Sequence, residues 1–307
     1  MKKKIRALVL FSGGLDSTLA VKILEKQNIE VMALTFVSYF FDDVKAKEGA
    51  EKNGIKMRSV NFSQIHSEVV KNPKRGYGRA MNPCIDCHLL MIREAGRIMR
   101  EEGFDFVATG EILGQRPMSQ NLQSLNLIER EAELERRLLR PLSAKLLAET
   151  EIEKSGKVDR EQLLDISGRS RKRQMELVSQ LGIEYYPSPG GGCLLTEVEF
   201  GKKLKKLLQE IENPTASDFA LLQVGRIFWL EKTRIIVGKN SEDNEKLKEI
   251  KKSEDKLIEL QDFLGPLTLI RGEMKPEVIE EAKRITASYS RHTKGSDYKK
   301  LKFVITE

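Results

Sequence analysis

This chain has little that could serve as a covalent staple or a membrane anchor. Of its 307 residues only three are cysteine, Cys84, Cys87 and Cys193, an odd and small number that argues against a disulfide framework. No apolar stretch approaches the ~20 residues of a membrane span, and Met-Lys-Lys-Lys at the start is not followed by a secretory core. A cytoplasmic protein without membrane contact is therefore expected. There is no internal repeat and no low-complexity tract. What remains is an ordinary globular composition, 40% apolar and 32% charged, long enough for one large or two ordinary domains. The formal charge of +7 suits a polyanionic partner without demanding one.

The most informative segment is Ser12-Gly13-Gly14-Leu15-Asp16-Ser17, directly after the apolar run Ile5–Phe11. The run reads as a buried strand, and Leu15–Gln27 reads as an amphipathic helix with Leu19, Ile23 and Leu24 inward. A strand that breaks into paired glycines and opens a helix is a phosphate cradle. The glycines let the backbone approach an anion, and the free N–H groups at the helix start bind it. Ser12 and Ser17 add hydroxyl donors, and Asp16 can meet a magnesium ion or a phosphate-bound water. No Gly-Lys-Ser/Thr ending follows, which excludes a Walker loop. The string resembles the PP-loop of the ATP pyrophosphatases, enzymes that cleave ATP between the α and β phosphates.

Strand-like runs at Ile5–Phe11, Val31–Phe36, Met57–Asn61 and Phe104–Thr109 alternate with helical ones at Leu15–Gln27, Asp43–Asn53 and Cys87–Glu102. The alternation predicts an α/β fold, a doubly wound parallel sheet of the PP-loop ATP pyrophosphatase type. Ligands of such sheets bind beyond the carboxyl ends of the strands, where strand order reverses. A second composition begins near Asn213-Pro214-Thr215. Alternating segments at Ala220–Leu230 and Thr233–Lys239, a helix over Ser241–Lys256, a strand at Leu267–Arg271 and a helix from Pro276 predict a smaller α+β domain. The expected domains are residues 1–212 and 213–307, with the boundary placed between Pro189 and Pro214.

Cys84 and Cys87 form a Cys-x-x-Cys pair that reads as lying just before a helix, where the helix N-terminus stabilises thiolate. Cys193 follows Pro189-Gly190-Gly191-Gly192, a loop able to carry a third sulfur to the first two. Three chemistries compete: zinc with His88 as a fourth ligand, a redox pair or persulfide relay, and a [4Fe–4S] cluster on three cysteines with one iron open.

Three passages resemble the PP-loop tRNA thiolation enzymes, above all the catalytic domain of tRNA 4-thiouridine synthase, with kinship to the tRNA 2-thiouridylases. They are Ser12–Ser17; Ala108-Thr109-Gly110-Glu111-Ile112-Leu113-Gly114-Gln115, continuing to Met118-Ser119-Gln120-Asn121-Leu122; and Leu139-Arg140-Pro141-Leu142. The resemblance spans about residues 5–200 and implies ATP and Mg2+ at Ser12, Gly13, Gly14, Leu15, Asp16 and Ser17. It implies adenine at the backbone of Leu34 and Phe36, and a close approach of Gly110 to the nucleotide. It also places Cys84, Cys87 and Cys193 where iron–sulfur members of the group carry their cluster ligands. These cysteines and Asp16 are then the expected catalytic set, with tRNA as partner and sulfide, or a cysteine-desulfurase-type donor, as sulfur source. The synthase's usual tRNA-binding module and a rhodanese domain are both expected to be missing, which favours a cluster using free sulfide. The segment Ile235-Ile236-Val237-Gly238-Lys239-Asn240, with Asn244, resembles the RNA-binding domain of NFACT-type proteins.

Two basic clusters are candidate contacts. Arg169, Arg171, Lys172 and Arg173 open a helix over Gln174–Leu181 and could grip RNA phosphates or the ATP α-phosphate. Arg291, Lys299 and Lys300, with Lys283, Arg284, Lys294 and Lys302 and interleaved Tyr289, Tyr298 and His292, could hold an RNA backbone. His66 reads as a surface residue, Asp86 as an acid/base or, in preference, a cap for the helix at Cys87, and Lys145 as a surface lysine that could reach a phosphate. The rival readings are a PP-loop ligase acting on a small molecule with structural zinc, a persulfide-relay thiolase, and a non-catalytic RNA-binding protein. Asp16 counts against the last, because a pure binder has no need of it.

Overall fold

The computed structural model describes residues 4–134, 136–188 and 192–306. The chain divides into two compact units, residues 1–197 and 198–307.

The first unit contains β1 (Arg6–Leu10), α1 (Leu15–Lys26), β2 (Glu30–Val37), α2 (Val44–Lys52), β3 (Met57–Asn61), α3 (Ser63–Lys71), α4 (Cys84–Glu102), β4 (Phe106–Thr109), α5 (Leu122–Glu131), β5 (Leu138–Leu139), α6 (Glu151–Lys154) and α7 (Lys172–Gln180). The strands form one parallel sheet in the order β3-β2-β1-β4-β5. β1 is central and apolar on both faces, as a strand covered by helices on both sides must be. Ala7 and Val9 pack with Leu19, Ile23 and Leu24 of α1 on one face. Leu8 packs with Leu89, Ile92 and Met99 of α4 on the other. The α/β, doubly wound reading is correct. Strand order reverses between β1 and β4, so the loops after these two strands face each other at the carboxyl edge.

The second unit contains α8 (Val198–Glu210), α9 (Ala216–Leu221), β6 (Arg226–Leu230), β7 (Thr233–Val237), α10 (Ser241–Ile250), β8 (Lys256–Leu260), β9 (Thr268–Arg271), α11 (Pro276–Tyr289) and β10 (Phe303–Thr306). Its sheet is antiparallel, in the order β10-β8-β9-β7-β6. α11 covers one face through Val278, Ala282 and Ile285, and Leu221 and Leu247 of α9 and α10 pack on the other. The division falls ahead of 212/213, so α8 belongs with the second unit. The expected strand over Ala220–Leu230 shrinks to Arg226–Leu230. Thr215 opens a helix instead, its hydroxyl and the Asp218 carboxylate each taking up the other's end of a capping box.

Under that helix lies a buried ion cluster. Arg234 donates to Asp218 (2.5 Å), and Arg271 donates to Asp218 (3.2 Å) and Asp255 (2.5 Å). The Gly238–Asn244 segment is a structural turn. Asn240 caps α10 by accepting from the Asp243 N–H (2.8 Å), and the Asn244 side-chain Oδ1 accepts from the Leu267 N–H (3.0 Å). A Cβ at Gly238 would fall 2.1 Å from that Asn244 oxygen. Gly238→Ala is therefore expected to lower the melting temperature of the second unit without touching the first, readable as a separate transition by calorimetry.

Candidate nucleotide and sulfur site

The loop after β1 is ordered by its own hydroxyls. Ser17 Oγ accepts from the Ser12 N–H (3.3 Å) and donates to the Gly14 carbonyl (2.9 Å), and Ser12 Oγ accepts from the Gly14 N–H (3.4 Å). Gly13 has φ +74°, and a Cβ there would sit 2.3 Å from the Lys45 carbonyl oxygen, so only glycine fits. The first intrahelical bond runs from the Thr18 N–H to the Gly14 carbonyl (3.0 Å). The N–H groups just ahead of it have no partner within the helix, which is what an anion needs.

The opposing loop, after β4, is held at equally close range. A Cβ on Gly110 would lie 2.7 Å from the backbone of Asp16 and Ser17. The expected close approach of Gly110 is thus an approach to the phosphate loop itself. Gly110→Ala must push the two loops apart, and an ATP affinity at least tenfold weaker is expected by calorimetric titration.

Two side-chain amides reach the Asp16 carboxylate, Gln115 Nε2 at 3.0 Å and Gln174 Nε2 at 3.5 Å. Next to Gly110, Glu111 is fully buried. It accepts from His88 Nδ1 (2.8 Å), Arg140 Nε (3.0 Å) and the Thr109 hydroxyl (3.1 Å). Burial alone would raise its carboxyl pKa. The His88 hydrogen bond and the Arg140 charge outweigh that and hold it at about 2. Arg140 is itself saturated by Glu129 Oε2 (2.9 Å) and the Leu125 carbonyl (3.2 Å).

α4 starts at Cys84, so Cys84 and Cys87 lie within its first turn rather than ahead of it. Cys193 is drawn in by the Leu194 N–H, which donates to the Phe40 carbonyl (3.1 Å) in the loop after β2. The approach at Pro189, Gly190 and Gly191 lies outside the described residues. The three thiols are close enough to feel one another. Burial first, then the neighbouring Cys193, Cys84 and Asp86, push the Cys87 thiol well above its usual range. Burial and Cys84 raise Cys193 to about 11, partly offset by backbone N–H groups and Arg116. At Cys87, burial thus opposes the thiolate that a helix start favours.

Among the described residues no set of three or more His, Cys, Asp or Glu side chains is gathered around a single ion. His88 turns its Nδ1 to Glu111 instead of completing a zinc site. A cluster differs from a lone ion in binding each thiolate through a different iron. Cys87 is buried and Cys84 and Cys193 are half-buried, three separate thiols that could each meet a different iron.

His66 is a functional candidate that sequence reasoning missed. It is completely buried, not on the surface. Its Nδ1 lies 2.6 Å from Ser38 Oγ and its Nε2 lies 2.9 Å from Cys87 Sγ. The ring stacks on Phe62 with centroids 4.8 Å apart, and Phe40 and Phe41 close around it. Burial lowers its pKa to about 4, so the ring is neutral at pH 7. His66→Phe keeps the stacking and strands Ser38 and Cys87. A loss of about 1–3 kcal/mol in denaturant unfolding is expected.

Asp86 is not a cap. It is buried and accepts from the Arg75 backbone N–H (2.9 Å) and guanidinium (2.5 Å), tying the 72–83 segment to α4. Leu34 and Phe36 lie in β2 with buried side chains. Arg169, Lys172 and Arg173 are exposed and Arg171 half-exposed, with Arg173 4.0 Å from Asp165. Arg291, Lys299 and Lys300 are exposed, whereas Lys283 and Arg284 are paired with Glu280 and Glu281 on α11. Arg226 lies over one face of the Tyr289 ring (4.6 Å). Lys145 is held by Glu161.

A glycine-and-serine anion loop facing a second loop across the switch point of a parallel five-stranded sheet defines a PP-loop α/β protein. Residues 3–157, half of the chain, match the family described as thiamine biosynthesis protein (ThiI), and the chain belongs to that family. Residues 225–306 match the NFACT protein RNA binding domain.

Among curated proteins, the chain is 36% identical over 148 residues to a probable tRNA sulfurtransferase of Finegoldia magna, covering 45% of this chain and 36% of that protein. It is 30% identical over 128 residues to the tRNA-specific 2-thiouridylase MnmA of Clostridioides difficile, covering 36% of this chain and 35% of that protein. The matches thus span about a third of the length of these relatives. A crystal structure of a 4-thiouridine synthetase–RNA complex with bound ATP is 21% identical, with a TM-score of 0.43, over 71% of this chain and 52% of that one. Among the described residues no helix is long and apolar enough to cross a membrane.

Proposed function

We propose that this protein is an ATP-dependent tRNA uridine sulfurtransferase. One observation carries the reading: the loop after β4 touches the phosphate loop and also binds the helix that carries Cys84 and Cys87. Gly110 abuts Asp16, and the next residue, Glu111, accepts from His88, which follows Cys87 on α4. Activation and sulfur delivery would therefore share one pocket edge.

ATP would lie with its phosphates on Ser12, Gly13, Gly14, Leu15 and Ser17, and Asp16 would hold Mg2+. The last ladder bond between β1 and β2 is donated by the Phe11 N–H to the Leu34 carbonyl (2.9 Å). Strand alternation turns the next peptide groups on that edge, at Phe36, past the end of β1 toward the loop, where an adenine edge could bond. The uridine carbonyl oxygen attacks the α-phosphate and pyrophosphate leaves. Sulfide then adds at the same ring carbon, and AMP departs with the oxygen. Fixed donors around the phosphates would be the largest contribution of the protein. Cys84, Cys87 and Cys193 would hold a [4Fe–4S] cluster, whose open iron supplies sulfide as a nucleophile. His66 and Asn82, the latter donating to Cys84 Sγ (3.1 Å), would orient two of the three sulfurs. Arg291, Lys299 and Lys300 would contact the tRNA backbone, and a stacked target uridine would have to flip out to reach the pocket.

The experiment is a product analysis of ATP turnover with unmodified tRNA and sulfide under anaerobic conditions. AMP and pyrophosphate, formed only with tRNA present, support adenylation. ADP and phosphate contradict it.

A further inference from the structure

The phosphate loop has a charge problem. Ser12–Ser17 contains no cation and carries the carboxylate of Asp16, whereas a bound nucleoside triphosphate brings several negative charges. The buried cation behind Gly110 is spent, since Arg140 is paired with Glu111 and Glu129.

One basic segment is brought to the loop by the fold itself. Residues 166–168 run beside Leu113: the Gly168 N–H donates to the Leu113 carbonyl (2.7 Å), and Ser143 Oγ joins the Leu113 N–H (2.9 Å) to the Ile166 carbonyl (2.6 Å). Two residues past Leu113, Gln115 reaches Asp16. From the other strand of this pairing the chain passes through Arg169 and Arg171 into α7, where Gln174 reaches the same carboxylate. Gln174 is fully buried, yet among the described residues its Oε1 has no hydrogen-bond partner. A buried carbonyl oxygen left unpaired beside a ligand loop asks for a donor from that ligand, such as a ribose hydroxyl or a metal-bound water. The first N–H groups of α7 point from the same end of the helix.

We propose that residues 167–174 form the second wall of the nucleotide site, with Arg169, Arg171 and the start of α7 meeting the ATP phosphates opposite Ser12–Ser17. This rests on the ATP reading above and adds to it the missing positive charge. It assigns the 169–173 cluster to the nucleotide rather than to RNA.

The test uses the full chain with Mg2+ and a non-hydrolysable ATP analogue, titrated calorimetrically without RNA, beside filter binding of unmodified tRNA without nucleotide. The variant is Arg169→Ala with Arg171→Ala. Both side chains are solvent-accessible, and an unchanged thermal transition confirms folding. The expected result is analogue affinity reduced about tenfold or more with tRNA affinity held within about twofold. Analogue affinity unchanged overturns the proposal, and if tRNA binding falls instead the cluster belongs to RNA. Wild-type protein that binds no analogue at all overturns the ATP reading, and this proposal with it.

Discussion

Asp16→Ala should abolish sulfur transfer, by about a hundredfold or more in rate, while leaving the protein folded and able to bind tRNA. The carboxylate sits in the first turn of α1, and it is held from two sides by Gln115 and Gln174. Two amides from distant parts of the chain would not converge on a surface acid without a task for it. Removing it costs little packing, because the side chain lies at the open edge of the sheet. The loss should therefore be in turnover and not in stability. A quenched assay of AMP release, run beside thermal unfolding of the same sample, separates the two. Lost turnover with an unchanged melting temperature is the expected pair of results. A variant that keeps full turnover would remove Asp16 from the site.

Glu111→Ala should be the most damaging substitution to the fold. It leaves the Arg140 guanidinium buried with one of its two carboxylate partners gone and strands His88. Breaking one side of a buried pair costs about 3–5 kcal/mol, or roughly 10 °C in melting temperature for a unit of this size. The pH dependence has a definite sign. Glu111 has its carboxyl pKa lowered from 4.5 to about 2. Its contribution is then fully present above the unfolded value near 4.5 and is lost as pH falls through about 2. Acid titration of unfolding should show wild-type stability falling across that window, with the Glu111→Ala protein lower and flatter. Equal slopes for the two proteins would mean that Glu111 does not carry this ionisation.

The phosphate loop and the parallel sheet were legible because their signals are local. Gly13 is required by a positive φ, and β1 is apolar on both faces, so each is written in a few adjacent residues. The parallel sheet followed from the alternation of strands and helices, whereas the strand order that puts the reversal between β1 and β4 did not. The pairings that build the site were not legible, because they join residues far apart in sequence. Nothing near His66 announces Ser38 or Cys87, 28 and 21 residues away, and α3 carries it inward on a helix that the sequence reading did not place. Asp86 stands where a cap is plausible, yet Arg75 claims it from a segment without regular structure. The lesson from Cys87 is one of burial: a helix start favours thiolate, but a sulfur taken out of water loses that advantage. In the second unit, Gly238, Asn240 and Asn244 carried the resemblance to an RNA-binding domain, and each proves to hold a turn together.

The central claim is that activation and sulfur delivery meet at one site and act on a tRNA uridine. Nucleoside mass spectrometry of tRNA tests it most directly, comparing cells that carry the gene, cells that lack it, and cells restored with the wild-type, Asp16→Ala or Cys87→Ala form. One thiolated uridine should be present in the first, missing in the second, and restored by the wild-type form alone. Identical thiolated nucleosides in all five samples would contradict the account.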